Sequence, residues 1–124
     1  MNKLQKSIDE FKVEASIFKD NLDCCSMFIK NVEKMISDYG VNLPFTFLVD
    51  VDQGEAEWHL CWDIDDKKKF RLMVQVGGKG LYNSMPLIES KIEVRFRLAK
   101  YLASFISAFK DYLIQTRIKI EESI

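Results

Sequence analysis

Apolar or small side chains recur along the first 40 positions at alternating steps of four and three: Leu4, Ile8, Phe11, Ala15, Phe18, Leu22, Cys25, Ile29, Val32, Ile36 and Tyr39. That period is a heptad seam, and its length of about five heptads predicts one long amphipathic helix. At about 1.5 Å rise per residue such a helix is roughly 55 Å long, more than the roughly 30 Å width of a small domain. A seam of that length needs a covering surface beyond its own globule. Neither glycine nor proline precedes Gly40, so the helix is read as continuous. The competing arrangement breaks near Asn21 and Asp23 into a hairpin that buries the seam internally.

With Ile8 at position a, the d positions are Leu4, Phe11, Phe18, Cys25, Val32 and Tyr39. A parallel two-stranded zipper prefers leucine at d, so aromatic side chains and a cysteine there suit it poorly. The pattern instead predicts that the second half of the helix packs on its own domain and the first half meets a second copy. Phe28 and Met35 at g widen the stripe as expected where it enters a core, whereas Ser7 and Glu14 leave it narrow. A second apolar line, Val13, Ile17, Cys24 and Met27, lies on the far side, and a helix apolar on two sides is covered from both. The expected self-association residues are Phe11, Val13, Ile17, Phe18, Leu22, Cys24 and Met27.

After Gly40, placed for a left-handed C-cap, and Pro44, the period switches to two. Leu43, Phe45, Phe47, Val49 and Val51 alternate with more polar neighbours, as do Trp58, Leu60, Trp62 and Ile64, and then Phe70, Leu72, Val74 and Val76. Asp52-Gln53-Gly54-Glu55 and Asp65 to Lys69 supply the turns. Three strands over 43–76 read as an antiparallel meander with one face buried. Gly77, Gly78 and Gly80 end the sheet, and a loop runs through Pro86. Ser90 and Glu93 have capping-box spacing, and the broad apolar face from Val94 through Leu113 predicts a core helix over 90–119. The expected fold is a single α+β domain over 1–124, in the order αβββα.

The chain has 124 residues, 30% of them charged, and a formal net charge of -1. This supplies no overall field for nucleic acid or an anionic membrane. No apolar run approaches a membrane span, and the N-terminus leads straight into the heptad, so a cytoplasmic protein is expected. Three cysteines, Cys24, Cys25 and Cys61, fit free thiols in a reducing compartment.

Candidate chemistry is sparse. His59 and Cys61 share a strand face, but neither they nor Cys24 and Cys25 have zinc-site spacing, and a cysteine nucleophile lacks an orienting third group. Asp50 to Glu55 glances at a calcium loop, yet the glycine comes early and Cys61 stands where the closing glutamate belongs. Gly77-Gly78-Lys79-Gly80 lacks Walker spacing and a following helix. No cofactor and no metal are expected. Lys67, Lys68, Lys69, Arg71, Arg95 and Arg97 form a modest basic patch if the third strand lies near the start of the second helix, which leaves a weak nucleic-acid contact as an alternative. Acidic residues near the strand ends, Asp63, Asp65 and Asp66 among them, solubilise the turns.

The stretch Trp58-His59-Leu60-Cys61-Trp62, then Phe70-Arg71-Leu72, then Pro86-Leu87-Ile88-Glu89-Ser90 with Val94-Arg95 and the helix from Leu98 to Leu113, resembles small uncharacterised proteins of phages and other mobile elements. That resemblance covers the last two thirds of the chain. It implies an accessory protein that binds and modulates or inhibits a host or defence complex, in the manner of anti-CRISPR proteins, and it implies no site residues. The meander behind an N-terminal helix is also similar to dimeric acidic secretion chaperones, which implies a dimeric binding protein. On all counts the expectation is a non-enzymatic protein that binds a protein partner and forms a homo-oligomer, with a dimer the expected form.

Overall fold

A computed structural model describes residues 2–51, 56–78 and 81–124. The heptad seam forms a single helix, α1 (Lys3–Asp38). Asn2 caps its start by accepting the backbone N–H of Gln5 at 2.9 Å, which satisfies one of the four amides that a helix leaves unpaired. Beyond Tyr39, Gly40 takes φ +63°, a left-handed conformation that suits glycine, and its N–H donates to the Ser37 carbonyl at 3.0 Å. The hairpin alternative is thereby set aside.

The sheet has four antiparallel strands rather than three: β1 (Phe45–Val51), β2 (Glu57–Ile64), β3 (Phe70–Gly78) and β4 (Leu81–Pro86), in spatial order β1-β2-β3-β4. The glycines expected to end the sheet instead carry β3 onward, with Gly77 opposite Tyr82 and Gly78 opposite Leu81. β4 is an edge strand that ends in proline, a residue confined within sheets to edges and strand ends. The turns expected at 52–55 and the Lys79-Gly80 link lie outside the described residues. β1 also departs from strict alternation. A bulge between Leu48 and Asp50 shifts the register, so that Asp50, not Val49, stands opposite Trp58.

One face of the sheet carries the core. Leu60, Trp62, Leu72 and Val74 pack there with Cys25, Ile29 and Ile36 of α1 and with Leu98, Leu102, Phe105 and Phe109 from the C-terminal helices. The indole N–H of Trp62 donates to the Val41 carbonyl at 2.6 Å, which ties β2 to the segment after α1. Phe45 stacks on Phe109 with ring centroids 4.9 Å apart, setting the C-terminal helix over β1. Cys61 and Met73 are buried as well but stand outside that cluster, at alternate positions of their strands.

The expected single helix over 90–119 is two helices, α2 (Ile92–Ala99) and α3 (Leu102–Ser123). Lys100 and Tyr101 make a tight link in which the Tyr101 N–H donates to the Leu98 carbonyl at 2.9 Å. Leu98 before the break and Leu102 after it are both buried in the core. The capping box does not form. Ser90 turns back to donate to the Leu87 carbonyl at 2.6 Å, closing a single 3-10 turn at Leu87–Glu89, and Lys91 starts α2 without a side-chain cap.

Candidate functional site

Burial divides α1 into two parts. From residue 25 to 36 the a and d positions enter the core, with Cys25, Ile29 and Ile36 buried and Val32 half-buried, while Tyr39 at the last d position is 81% exposed. From 3 to 21 every residue is exposed, and Leu22 at the boundary is half-buried. Phe18 still meets Phe96 of α2, so at 1.5 Å per residue the stretch 3–17 places roughly 21 Å of helix beyond the globule. Its seam is open: Leu4 is 68% exposed, Phe11 71% and Phe18 51%. An apolar line of this kind on a surface marks an interaction site.

The residues expected to mediate association fall mostly on this projecting part. Phe11, Val13, Ile17, Phe18, Cys24 and Met27 are exposed, and Leu22 is half-buried where the helix meets the globule. Phe18 is the one among them with an aromatic neighbour, the edge of Phe96 in α2 at 5.9 Å between centroids.

Phe28 and Met35 correct the expectation that they widen the stripe into a core. Phe28 is 61% exposed and Met35 41%, and they form one wall of a groove. One cavity of about 450 Å³ is lined by Met35, Ile36, Tyr39 and Val41 with Ile106, Phe109, Lys110 and Leu113. A second, of about 550 Å³, is lined by Phe28 and Val32 with Ala99, Leu102, Ala103 and Ile106. Ile106 belongs to both. Rising numbers on α1 face rising numbers on α3, so the two helices run in the same sense with an apolar trough between them. Lys110 is the one charged residue in its lining. The signal was present in the sequence, since apolar g positions next to apolar d positions also describe a groove wall.

Of the six basic residues, the three arginines are engaged by neighbouring side chains. Arg71 donates to Glu33 at 3.2 Å and to Glu89 at 3.2 Å. Partial burial opposes its charge, but the bonds and charges of Glu33 and Glu89 outweigh that and raise its pKa. Arg95 reaches Ser26 of α1 at 3.0 Å, and Arg97 lies over the Trp58 ring, 4.9 Å from its centroid. Lys67, Lys68 and Lys69 stay in the exposed β2–β3 turn. There Asp65 accepts the N–H groups of Lys69 at 3.0 Å and Lys67 at 2.9 Å, and these bonds hold its carboxyl below the usual range.

Cys24 and Cys25 lie on α1 and Cys61 on β2, all three as free thiols. Desolvation raises the Cys25 thiol, with the Arg95 charge opposing, and pushes Cys61 up to about 11 against the Thr46 hydrogen bond. Buried thiols of this kind are poor nucleophiles at neutral pH. His59 shares its strand and face with Cys61, and its Nε2 lies 3.9 Å from the Glu57 carboxylate. Among the described residues, no group of three or more His, Cys, Asp or Glu side chains is placed to hold a metal ion, and no helix is long and apolar enough to cross a membrane. Comparison with protein-family models, with curated proteins and with solved structures finds no match to this chain.

Proposed function

We propose that this protein is a non-catalytic interaction protein that self-associates through the projecting half of α1. The observation that carries the reading is the open seam itself. Leu4, Phe11 and Phe18 sit at heptad spacing on a helix that leaves the globule, where each ring or branch in water forgoes about 25 cal/mol for every Å² of apolar surface it would otherwise bury. Isolated helices of such length are marginal in water, so a covering partner stabilises the helix as well as the seam. The two cavities between α1 and α3 have almost wholly apolar walls, which suits a side-chain knob better than a reacting substrate. The resemblance to accessory proteins of phages and other mobile elements supports a second partner of the same kind, a host or defence complex held in the cytoplasm and bound by the assembled form.

Sedimentation of the wild type against Phe11→Asp and Phe18→Asp tests the reading. The expected result is loss of the associated species with the far-ultraviolet spectrum of the sheet retained, because a carboxylate in an apolar seam costs several kcal/mol. Phe11 is the cleaner position, since Phe18 also touches Phe96. A monomeric wild type whose sedimentation neither substitution changes overturns the proposal.

A further inference from the structure

We infer that the groove between α1 and α3 receives the projecting half of α1 from a second copy of this chain, in an antiparallel two-fold pair. The inference rests on the reading of α1 as an association helix and adds the surface that accepts it. The two groove cavities are offset along α1 by one heptad, from Phe28 and Val32 to Met35 and Tyr39. Two seam knobs, Leu4 and Phe11, are offset by one heptad as well. Seven residues at 1.5 Å make about 10.5 Å in both cases.

The faces agree. Leu4, Phe11 and Phe18 occupy the same d row as Val32 and Tyr39, and Phe28 and Met35 at g flank that row. Laid antiparallel with residue numbers summing to about 41, the helices place Leu4 between the partner's Met35 and the partner's Tyr39. Phe11 falls between the partner's Phe28 and the partner's Val32. On the flank, Lys3 meets the partner's Asp38 and Ile17 meets the partner's Cys24, so opposite charges and apolar groups face each other. The two-fold axis crosses α1 near residues 20 and 21, and each globule lies beyond the end of the other. An in-register parallel pair through this face would instead oppose two Glu14 carboxylates, a repulsive arrangement that the antiparallel pair separates by about 20 Å.

The area is sufficient. Aromatic side chains offer roughly 150–250 Å² each and the aliphatic ones somewhat less, so Leu4, Ile8, Phe11, Phe18, Phe28, Met35 and Tyr39, at 38–81% exposure, leave up to roughly 800 Å² per copy, the share a stable dimer needs from each partner. The same patch serves both copies, as a closed two-fold interface requires.

Light scattering and a spin-label distance measurement test this. The wild type is expected to be a dimer of fixed mass. Ala103 is an exposed residue of the groove wall, and Ala103→Arg should weaken the dimer by about tenfold or more without altering the fold, as Phe11→Asp should. With Lys6→Cys, on the outer face of α1, as the labelled thiol in an isosteric Cys24→Ser background, and Cys25 and Cys61 buried, the antiparallel pair sets the two labels about 45 Å apart. A separation of about 25 Å or less, or a mass that climbs with concentration, overturns the antiparallel pair. A dimer lost in Phe11→Asp but intact in Ala103→Arg removes the groove as acceptor and leaves the association helix standing. A wild-type monomer removes both.

Discussion

Glu33 of α1 accepts the backbone N–H of Leu72 in β3 at 2.9 Å through Oε2, while its Oε1 takes the Arg71 guanidinium at 3.2 and 3.3 Å. Leu72 lies just before the point where β4 joins β3, opposite Met73. The carboxylate thus satisfies a strand amide near the end of the β4 pairing and fixes where α1 crosses the sheet. Both side chains are largely shielded, Glu33 at 21% and Arg71 at 24% exposure. Glu33→Ala is expected to lower stability by about 2 kcal/mol in urea unfolding, with Glu33→Gln costing about half as much because it keeps an acceptor for the amide. Equal losses in the two variants would place the contribution in the ion pair alone.

The β2–β3 turn contains a strained residue. Lys68 has φ +61°, a left-handed conformation that costs a side-chain-bearing residue roughly 1 kcal/mol relative to glycine. The surrounding bonds fix it there: the Asp65 N–H donates to the Lys69 carbonyl at 2.8 Å and the Lys68 N–H to the Asp65 carbonyl at 3.0 Å. Lys68→Gly is therefore expected to raise stability by about 0.5 kcal/mol, part of the relief being offset by the greater freedom glycine has when unfolded. Thermal unfolding reads it, and a lower midpoint would contradict the strain.

Trp62 joins the core to the post-helix segment through the bond from its indole to the Val41 carbonyl. Its ring also stacks against Phe70 at 6.1 Å. Trp62→Phe keeps the ring packing and deletes the donor, leaving a carbonyl short of its partner. A loss of about 1–3 kcal/mol is expected by denaturant titration, followed through the fluorescence of the remaining Trp58.

Long-period patterns were legible in the residues, and local choices were not. The seam from Leu4 to Tyr39 and the alternation through Phe45, Trp62 and Leu72 reflect which side chains enter the core, a property that periodicity reports directly. β4 escaped notice because Asn83 and Ser84 carry no apolar alternation and its pairing depends on β3 being in place. The break at Lys100 and Tyr101 uses neither glycine nor proline, so propensity and apolar spacing gave no sign of it. Ser90 had two partners in reach, the start of α2 and the Leu87 carbonyl, and spacing alone could not choose between them. The seam was visible in the chain, while its facing groove needed α3 to be placed first.

Thiol chemistry offers the last prediction. With native protein at neutral pH, a colorimetric thiol reagent should leave the buried Cys25 and Cys61 unmodified and reach all three cysteines only after denaturation. The Cys61 thiol, pushed up to about 11 from an ordinary value near 9, is held neutral in the folded chain by burial. Its contribution to stability is therefore full below about pH 9, where both states are protonated, and is lost as the pH climbs toward 11, because only the unfolded thiol ionises in that window. A shift of that size corresponds to roughly 3 kcal/mol. Unfolding measured between pH 8.5 and 10.5 should fall more steeply for the wild type than for Cys61→Ala, and parallel slopes for the two proteins would show that the thiol is not shielded in solution.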